Sequence, residues 1–411
     1  MQGAFYFPLS RTTRFDPGSI LSPTGEGTWL GFKCAIPNPQ LSIGVKSALV
    51  MNLFSNEKRP REARWWERMA DGRVHCYLCP RHCHIGEGQH GFCFIRQNID
   101  GELVQLGYGR PAAIAIDPVE KKPLNHFLPG TRILSLGTAG CNMGCRFCQN
   151  FDISKAKADQ VNSASLAPEQ VVELALENGA PSIAFTYNEP TIWGEYVIDI
   201  AKVARRAGLK TVMVSNGYVT REAFFDIYEH IDAANIDLKA FTEDFYSKIT
   251  LTHLAPVLET LQWLRHETNV WFEITNLMIP TLNDDGEETR KLADWVLTNL
   301  GEDVPLHFTA FHPDFKLLDK PRTPSNTLDN ARQIAMGMGL KYVYEGNIHT
   351  NAGDTICPGC KRRIIRRSWH DVLADDVDGR GRCKHCGTAI AGVFSDAQVE
   401  ERRAASPLHA R

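Results

Sequence analysis

From residue 130 onward, short runs of β-branched and aromatic residues alternate with longer segments whose apolar residues recur at helical spacing. The short runs predict buried strands, and the longer segments predict amphipathic helices. The predicted strands are RILSLGT, SIAFTYN, TVMVSNG, ANIDLKA, WFEITNLMI and PLHFTAF, with KYVYEG as a possible further one. The predicted helices between them are APEQVVELALENGA, EYVIDIAKVARRAGL, EAFFDIYEHI, LAPVLETLQWLRHET and EETRKLADWVLTNL.

This alternation indicates βαβ units and a parallel sheet. Pro168 at the start of the first helix and Gly208 after the second are typical start and stop signals. Six such units predict an α/β fold whose sheet forms a barrel or a partial (β/α)6 barrel. An open doubly wound sheet is the alternative.

Polar residues gather where the predicted strands end. In a β/α barrel, the carboxyl ends of the strands carry the active site, so this convergence predicts one site. The alternative is that strand ends are loops, which are polar in any case. The residues are Cys141, Tyr187, Asn188, Glu189, Ser215, Asn216, Asp237, Lys239, Asn276 and His312.

Composition and charge narrow the class of protein. The chain has 411 residues, of which 43% are hydrophobic and 23% charged, and its formal net charge is -3. These values are typical of a soluble globular protein with two or three domains, and they argue against a general attraction to nucleic acid or anionic membranes. No apolar run approaches the roughly 18 residues of a membrane span, and no convincing signal peptide occurs, so we expect a cytoplasmic protein with no membrane partner.

The twelve cysteines need a use other than disulfides, because thiols are kept reduced in the cytosol. Cys34 stands alone and is interpreted as a bystander. Short spacing within groups is typical of metal sites. The three groups are Cys76, Cys79, Cys83 and Cys93; Cys141, Cys145 and Cys148; and Cys357, Cys360, Cys383 and Cys386.

The middle group, in CNMGCRFC, has three cysteines and no fourth nearby. A structural zinc site is closed by four ligands, and a four-iron cluster also has four corners. Three thiolates would leave one iron open, which suits a catalytic cluster whose fourth ligand is a small molecule. Phe147, between the last two cysteines, could shield such a cluster from water.

The last group reads CPGC, 22 residues, then CKHC, and this spacing is typical of a zinc ribbon. A rubredoxin-like iron site uses similar ligands and is the alternative. The intervening KRRIIRRSWH is basic, which fits nucleic acid, a docking partner or only a solvated hairpin face; we favour the solvated face.

The first group supplies four ligands, and either zinc or an auxiliary four-iron cluster fits it; we favour zinc. The nearby His75, His82 and His84 are interpreted as lying outside the ligand set. Glycines in GEGQHGF permit the tight turn between the third and fourth cysteines.

CNMGCRFC resembles the cluster loop of radical S-adenosylmethionine (SAM) enzymes. FTYNEPTIW resembles the segment that holds the SAM amino group, with Tyr187-Asn188 in place of the usual glycine pair before Glu189-Pro190. VSNG resembles the segment that contacts the ribose and methionine parts of SAM, and IDLKA and FHPDF resemble later strand ends in activases of glycyl-radical enzymes. The resemblance covers roughly residues 70–395. It extends to the radical SAM member of the AmmeMemoRadiSam group, which shares the CxLCPxxC segment, YNEP and a cysteine-rich tail.

The resemblance implies a radical SAM partial barrel, a 4Fe-4S cluster and bound SAM. The reduced cluster would cleave SAM to methionine and a 5′-deoxyadenosyl radical, which takes a hydrogen atom from a substrate that the sequence does not identify. Cys141, Cys145 and Cys148 would hold the cluster. The other implied cofactor-binding residues are Tyr187, Asn188, Glu189, Ser215, Asn216 and, as substrate-side candidates, Asp237, Lys239, Asn276 and His312. Implied partners are an electron donor such as flavodoxin or ferredoxin and a Memo-type protein.

One residue departs from the glycyl-radical activases. Where they often carry aspartate before Thr-Asn-Gly, this chain has Val214, which cannot help hold a cation near SAM. This weakens glycyl-radical activation of a partner protein, which we keep as an alternative. An alternative of another class is a zinc-stapled module that binds nucleic acid or protein.

The same patterns predict five divisions of the chain. The first division is either a loose extension or a stretch upstream of a true start at Met51, and cysteine-rich segments flank the barrel. The predicted ranges are 1–50 for the extension, 51–125 for the N-terminal metal-binding segment, 126–350 for the barrel, 351–395 for the zinc-ribbon-like segment and 396–411 for a flexible tail.

Overall fold

The computed structural model describes residues 61–350 and 352–405. The predicted extension over residues 1–50 therefore lies outside the described residues. Within 61–350 and 352–405, no helix is long and apolar enough to cross a bilayer.

Two small antiparallel sheets form the N-terminal part of the described chain, in the orders β1-β6-β5 and β2-β3-β4. The second is a hairpin-based sheet in which Cys76 lies directly opposite Cys83. The strands are β1 (Arg61–Glu62), β2 (Trp66–Arg68), β3 (Val74–Cys76), β4 (Cys83–Ile85), β5 (Arg96–Ile99) and β6 (Glu102–Gln105).

An eight-stranded sheet forms the centre of the molecule, and its strands follow one another in chain order. Seven of them, β8 to β14, are parallel neighbours, and β7 pairs antiparallel with β8 at one edge. The strands are β7 (Ala113–Pro118), β8 (Arg132–Gly137), β9 (Ser182–Phe185), β10 (Lys210–Ser215), β11 (Ala233–Asp237), β12 (Trp271–Met278), β13 (Leu306–Ala310) and β14 (Val343–Gly346). The six predicted strands and the possible seventh are thereby confirmed.

Strand β7 was not predicted. It lies within 51–125, the range predicted as a metal-binding segment, yet it pairs with β8 over its whole length. That part of the range therefore belongs to the central sheet. Its burial alternates, but Ile114 and Ile116 take exposed positions and Asp117 a buried one, so the hydrophobic pattern of a half-buried strand is weak.

Helices connect the parallel strands and cover one face of the sheet. The predicted signals hold, since Pro168 opens α2 and Gly208 follows α3 with a φ of 76°. The helices are α1 (Phe151–Ser154), α2 (Pro168–Glu177), α3 (Gly194–Arg206), α4 (Arg221–Tyr228), α5 (Glu243–Phe245), α6 (Ala255–Glu267), α7 (Gly286–Leu300), α8 (Ser325–Met338) and α9 (Asp396–Ala405), with short helical turns at Val119–Lys121, Pro190–Trp193 and Tyr246–Thr250.

A buried polar network is centred on Glu273 of the central sheet. Glu273 on β12 accepts hydrogen bonds from the backbone amides of Asn125 and His126, at 3.0 and 2.7 Å, and contacts His307 Nε2 at 2.7 Å. His126 reaches the Ala391 carbonyl and the Tyr344 hydroxyl, each at 2.5 Å. Burial lowers the pKa of His126 to about 4, so the ring is neutral and suited to donate on one side and accept on the other.

The C-terminal part consists of a small antiparallel sheet, β15 (Thr355–Ile356), β16 (Arg363–Ser368) and β17 (Asp371–Asp375), followed by α9. In place of the predicted flexible tail, residues 396–405 form this helix. Val399 is buried, and Arg403 pairs with the buried carboxylate of Asp232. These tertiary contacts order a segment whose polar composition gave no sign of them.

Candidate functional site

The loop that follows β8 carries Cys141, Cys145 and Cys148, and backbone hydrogen bonds fix it at several points. The amide of Gly144 donates to the Thr250 carbonyl at 2.7 Å, and the amide of Arg146 donates to the Ile249 carbonyl at 3.0 Å. A short helix, α1, follows the third cysteine directly. The loop is therefore held against the turn at Tyr246–Thr250.

The chemistry of the three thiols fits a metal cluster. Cys145 is buried, and the other two are partly buried. Burial raises the pKa of Cys141 to about 12 and also raises that of Cys145, so these two thiols hold their protons until a metal replaces them. Among the described residues, the triplet does not bring three ligand atoms within 4.8 Å of one another. The triplet therefore lacks the compact packing of ligands that a single tetrahedral metal ion requires.

Asn188, which follows β9, ties its strand end to the start of the cysteine loop. Its Oδ1 accepts from the amide of Thr138 at 3.2 Å, and its Nδ2 donates to the Gly140 carbonyl at 2.7 Å. Asn150, just after the third cysteine, donates in return to the Tyr187 carbonyl at 2.5 Å. These bonds place the YNEP segment directly beside the three cysteines.

Asn216, which follows β10, makes the second link to the loop. Its Nδ2 donates to Asn142 Oδ1 at 2.8 Å and lies 4.0 Å from Cys141 Sγ. Its Oδ1 accepts from the amide of Tyr218 at 2.9 Å. Two strand ends are thus joined to the loop by asparagine side chains.

The carboxylate of Glu189 joins these two strand ends to each other. It is fully buried and accepts from the amide of Thr191 at 2.9 Å, the hydroxyl of Ser215 at 2.8 Å and the amide of Asn216 at 2.7 Å. Burial raises the pKa of Glu189, and these donors oppose the shift. The carboxylate therefore fixes the ends of β9 and β10 relative to each other.

We expect Glu189→Gln to lower the free energy of unfolding by about 1–3 kcal/mol, because the new amide would face the backbone N–H of Asn216 and leave a buried donor unsatisfied. Urea denaturation measures the change. Glu177→Gln, at an exposed position at the end of α2, is the matched control and should change stability by less than about 0.5 kcal/mol. Equal effects of the two substitutions would contradict the positioning role.

Tyr187 occupies a backbone conformation that favours glycine, with a φ of 74°. Its hydroxyl donates to Asp117 Oδ2 at 2.9 Å, and the ammonium of Lys122 lies 4.7 Å from its ring centroid. Lys121 and Lys122 pair with the same carboxylate at 2.8 and 2.6 Å. Sequence reasoning missed this cluster of Asp117, Lys121 and Lys122, although DPVEKK is a visible concentration of charge next to an apolar run.

Asp237 and Lys239, at the end of β11, form an ion pair at 2.9 Å beside the cysteine loop. Burial alone would lower the pKa of Lys239, but the carboxylate of Asp237 and the nearby Cys145 raise it above its ordinary value. Its ammonium also lies 5.8 Å from the ring centroid of the buried Phe147. Lys239 therefore places a positive charge next to Cys145.

Two other predicted residues have local roles in the structure. Asn276 is buried and donates to the Leu238 carbonyl at 2.8 Å. His312 is exposed, and its Nδ1 lies 2.9 Å from the carbonyl of Pro313. The contacts of these two residues do not join them to the cysteine loop.

The four C-terminal cysteines come together in a compact group. Cys357 and Cys386 have their sulfur atoms 3.6 Å apart, those of Cys360 and Cys383 are 3.9 Å apart, and all four lie within 4.8 Å of one another. A tetrahedral zinc site with Zn–S bonds of about 2.3 Å requires sulfur separations of about 3.8 Å. The geometry fits one metal ion.

Comparisons with known proteins find related sequences and structures. The sequence model of the radical SAM superfamily matches residues 135–293. An uncharacterized protein of Methanocaldococcus jannaschii, MJ0808, is 43% identical over 333 residues, which is 80% of this chain and 98% of the relative. The pyruvate formate-lyase-activating enzyme of Listeria monocytogenes is 26% identical over 179 residues, 41% of this chain and 71% of that enzyme. A solved domain of pyruvate-formate lyase-activating enzyme from Bacteroides vulgatus matches with a TM-score of 0.36 and 17% identity, covering 40% of this chain and 98% of that domain.

The parallel sheet and the three-cysteine loop after its first parallel strand define an iron–sulfur enzyme of the radical SAM type. The chain belongs to the radical SAM superfamily and resembles pyruvate formate-lyase-activating enzymes. Members of the superfamily are enzymes that use a 4Fe-4S cluster and SAM, so this chain is an enzyme. A purely zinc-stapled binding module, our alternative of another class, is thereby set aside.

Proposed function

We propose that this enzyme cleaves SAM reductively at a 4Fe-4S cluster held by Cys141, Cys145 and Cys148 and then abstracts a hydrogen atom from its substrate. The observation that supports this proposal most strongly is that Asn188 and Asn216 join the three-cysteine loop to the ends of β9 and β10. The donor set is three thiols, so one iron would be left for the amino and carboxylate groups of SAM.

When bound, the cluster and SAM supply the chemistry, in which one electron breaks the C5′–S bond and the 5′-deoxyadenosyl radical removes a hydrogen atom. The protein's residues bind and orient these groups. Glu189 fixes the two strand ends that face SAM, and Lys239 offsets the negative charge of the thiolates. Phe147 excludes water from the loop, because its ring is buried between Lys239 and Phe245.

Two kinds of substrate fit this reaction, and they imply different partner proteins. A small molecule or a Memo-type protein is the substrate we favour, with a flavodoxin or ferredoxin as electron donor. Activation of a glycyl-radical enzyme is the alternative, supported by the relative from Listeria monocytogenes. Val214 disfavours it, since this side chain packs against the apolar cluster of the interior and supplies no carboxylate.

Electron paramagnetic resonance (EPR) tests the proposed site. The anaerobic protein, reduced with dithionite, is expected to give a 4Fe-4S signal that changes when SAM is added. Cys148→Ala should lose the SAM-dependent change. Identical spectra of the wild-type protein with and without SAM would overturn the proposal. A stable glycyl-radical signal on an added candidate partner would favour the alternative.

We propose zinc for the C-terminal group, within a segment over residues 351–395 that follows a barrel over 126–350. The apolar cluster of this small sheet includes Cys357 and Cys383 themselves, so a metal ion held there would add to its stability. Cys360→Ser is expected to lower zinc content by about one ion per chain, measured by elemental analysis. It should also make β16 and β17 exchange their amide hydrogens faster, while exchange in β10 stays unchanged. Full zinc retention by this variant would contradict the assignment.

A further inference from the structure

We propose that Cys76, Cys79, Cys83 and Cys93 bind a second 4Fe-4S cluster and not the zinc ion that the sequence favoured. Pairing of β3 with β4 sets Cys76 opposite Cys83, the turn between these strands supplies Cys79, and Cys93 comes from the segment before β5. All four cysteines line one cavity. The cavity is thus lined by four thiols, one for each iron of a 4Fe-4S cluster.

The spacing of the sulfur atoms separates a cluster from a single ion. In the C-terminal group, all four sulfur atoms lie within 4.8 Å of one another, as one tetrahedral zinc ion requires. Among the described residues, the N-terminal group does not bring three ligand atoms that close. Four thiolates on the four corners of a cluster are spread more widely, because each binds a different iron. The Cys141 loop likewise does not bring three ligand atoms within 4.8 Å of one another, and there the superfamily implies a 4Fe-4S cluster.

The charges that line the cavity fit an anionic cluster. Arg81 and Arg96 both line it. Arg96 is buried and held by two hydrogen bonds of 2.6 and 2.8 Å to the carboxylate of Glu195.

The cavity adjoins the three-cysteine loop. Asn142, the residue after Cys141, lines the cavity, and Arg81 Nε donates to its carbonyl at 2.5 Å. A Cβ on Gly140, whose φ is 79°, would come within 1.9 Å of the carbonyl oxygen of Cys93. Only glycine permits this approach. Because the second cluster has four protein ligands, none of its irons is open to a small molecule. It therefore differs from the neighbouring cluster, which has three protein ligands and one open iron.

The test uses the full chain with Cys141, Cys145 and Cys148 all changed to alanine, reconstituted without oxygen using iron and sulfide. About four iron and four sulfide per chain are expected, with an EPR signal after reduction that SAM does not alter. Adding Cys79→Ser to this variant should remove them. Zinc in place of iron at this site, with no sulfide, would overturn the proposal. This outcome does not depend on whether the wild-type protein cleaves SAM.

A second variant keeps the test valid if the triple variant does not fold. Cys79→Ser with Cys83→Ser, in a chain that retains the Cys141 loop, should lower the iron content from about eight to about four per chain. The SAM-dependent EPR change should persist, because the open cluster is intact. Iron that is unchanged from the wild-type content would contradict the second cluster.

Discussion

Cys145→Ala is expected to abolish the formation of 5′-deoxyadenosine and to remove about four iron per chain. The thiol of Cys145 is buried beside Lys239, and two cysteines alone cannot hold three corners of a cluster. Product is measured by chromatography after incubation with SAM and dithionite, and iron by elemental analysis on the same preparation.

Cys34→Ala is the matched control, because Cys34 stands outside the three cysteine groups. It should keep the wild-type iron content and rate. If Cys145→Ala retained the wild-type yield of 5′-deoxyadenosine, the three-cysteine loop would not be the site of SAM cleavage.

Glu195→Gln is expected to lower the free energy of unfolding by about 3–5 kcal/mol, because it leaves the charge of Arg96 buried without its partner. The side chains of Arg96 and Glu195 are only 1% and 4% exposed. Glu195 Oε1 also accepts from the backbone amide of Arg64 at 2.7 Å. Urea denaturation without oxygen measures the loss.

Glu267→Gln makes the same chemical change in an exposed ion pair. Glu267 pairs with Arg221, and these side chains are 38% and 56% exposed. Solvent screens such a pair, so the expected loss is about 0–1 kcal/mol. A Glu195→Gln protein as stable as the Glu267→Gln protein would show that the buried pair does not hold the N-terminal sheets to α3.

Local signals in the sequence predicted most of the central sheet. β-branched runs, Pro168 and Gly208 act within a few residues of their own position, so the seven parallel strands and five of the helices could be predicted. Strand β7 and helix α9 could not, because distant contacts order them, such as the pairing of Arg403 with Asp232.

The candidate site also has features that the sequence predicted and features that it did not. The three-cysteine loop and the polar strand ends were visible in the sequence, yet the partners of each side chain were not. Glu189 was predicted to lie at the SAM site, which stays a prediction, but its hydrogen bonds to Ser215 and Asn216, 26 and 27 residues away, could not be predicted. The link from Tyr187 to Asp117 spans 70 residues. Such pairs depend on the packing of the whole sheet and carry no local signature.

The most direct test of the central claim is the reaction of the anaerobically purified wild-type chain with SAM and dithionite. We predict methionine and 5′-deoxyadenosine in equal amounts, from protein that contains iron and sulfide. Protein that contains zinc alone after strict anaerobic work, and that forms no 5′-deoxyadenosine, would contradict the account.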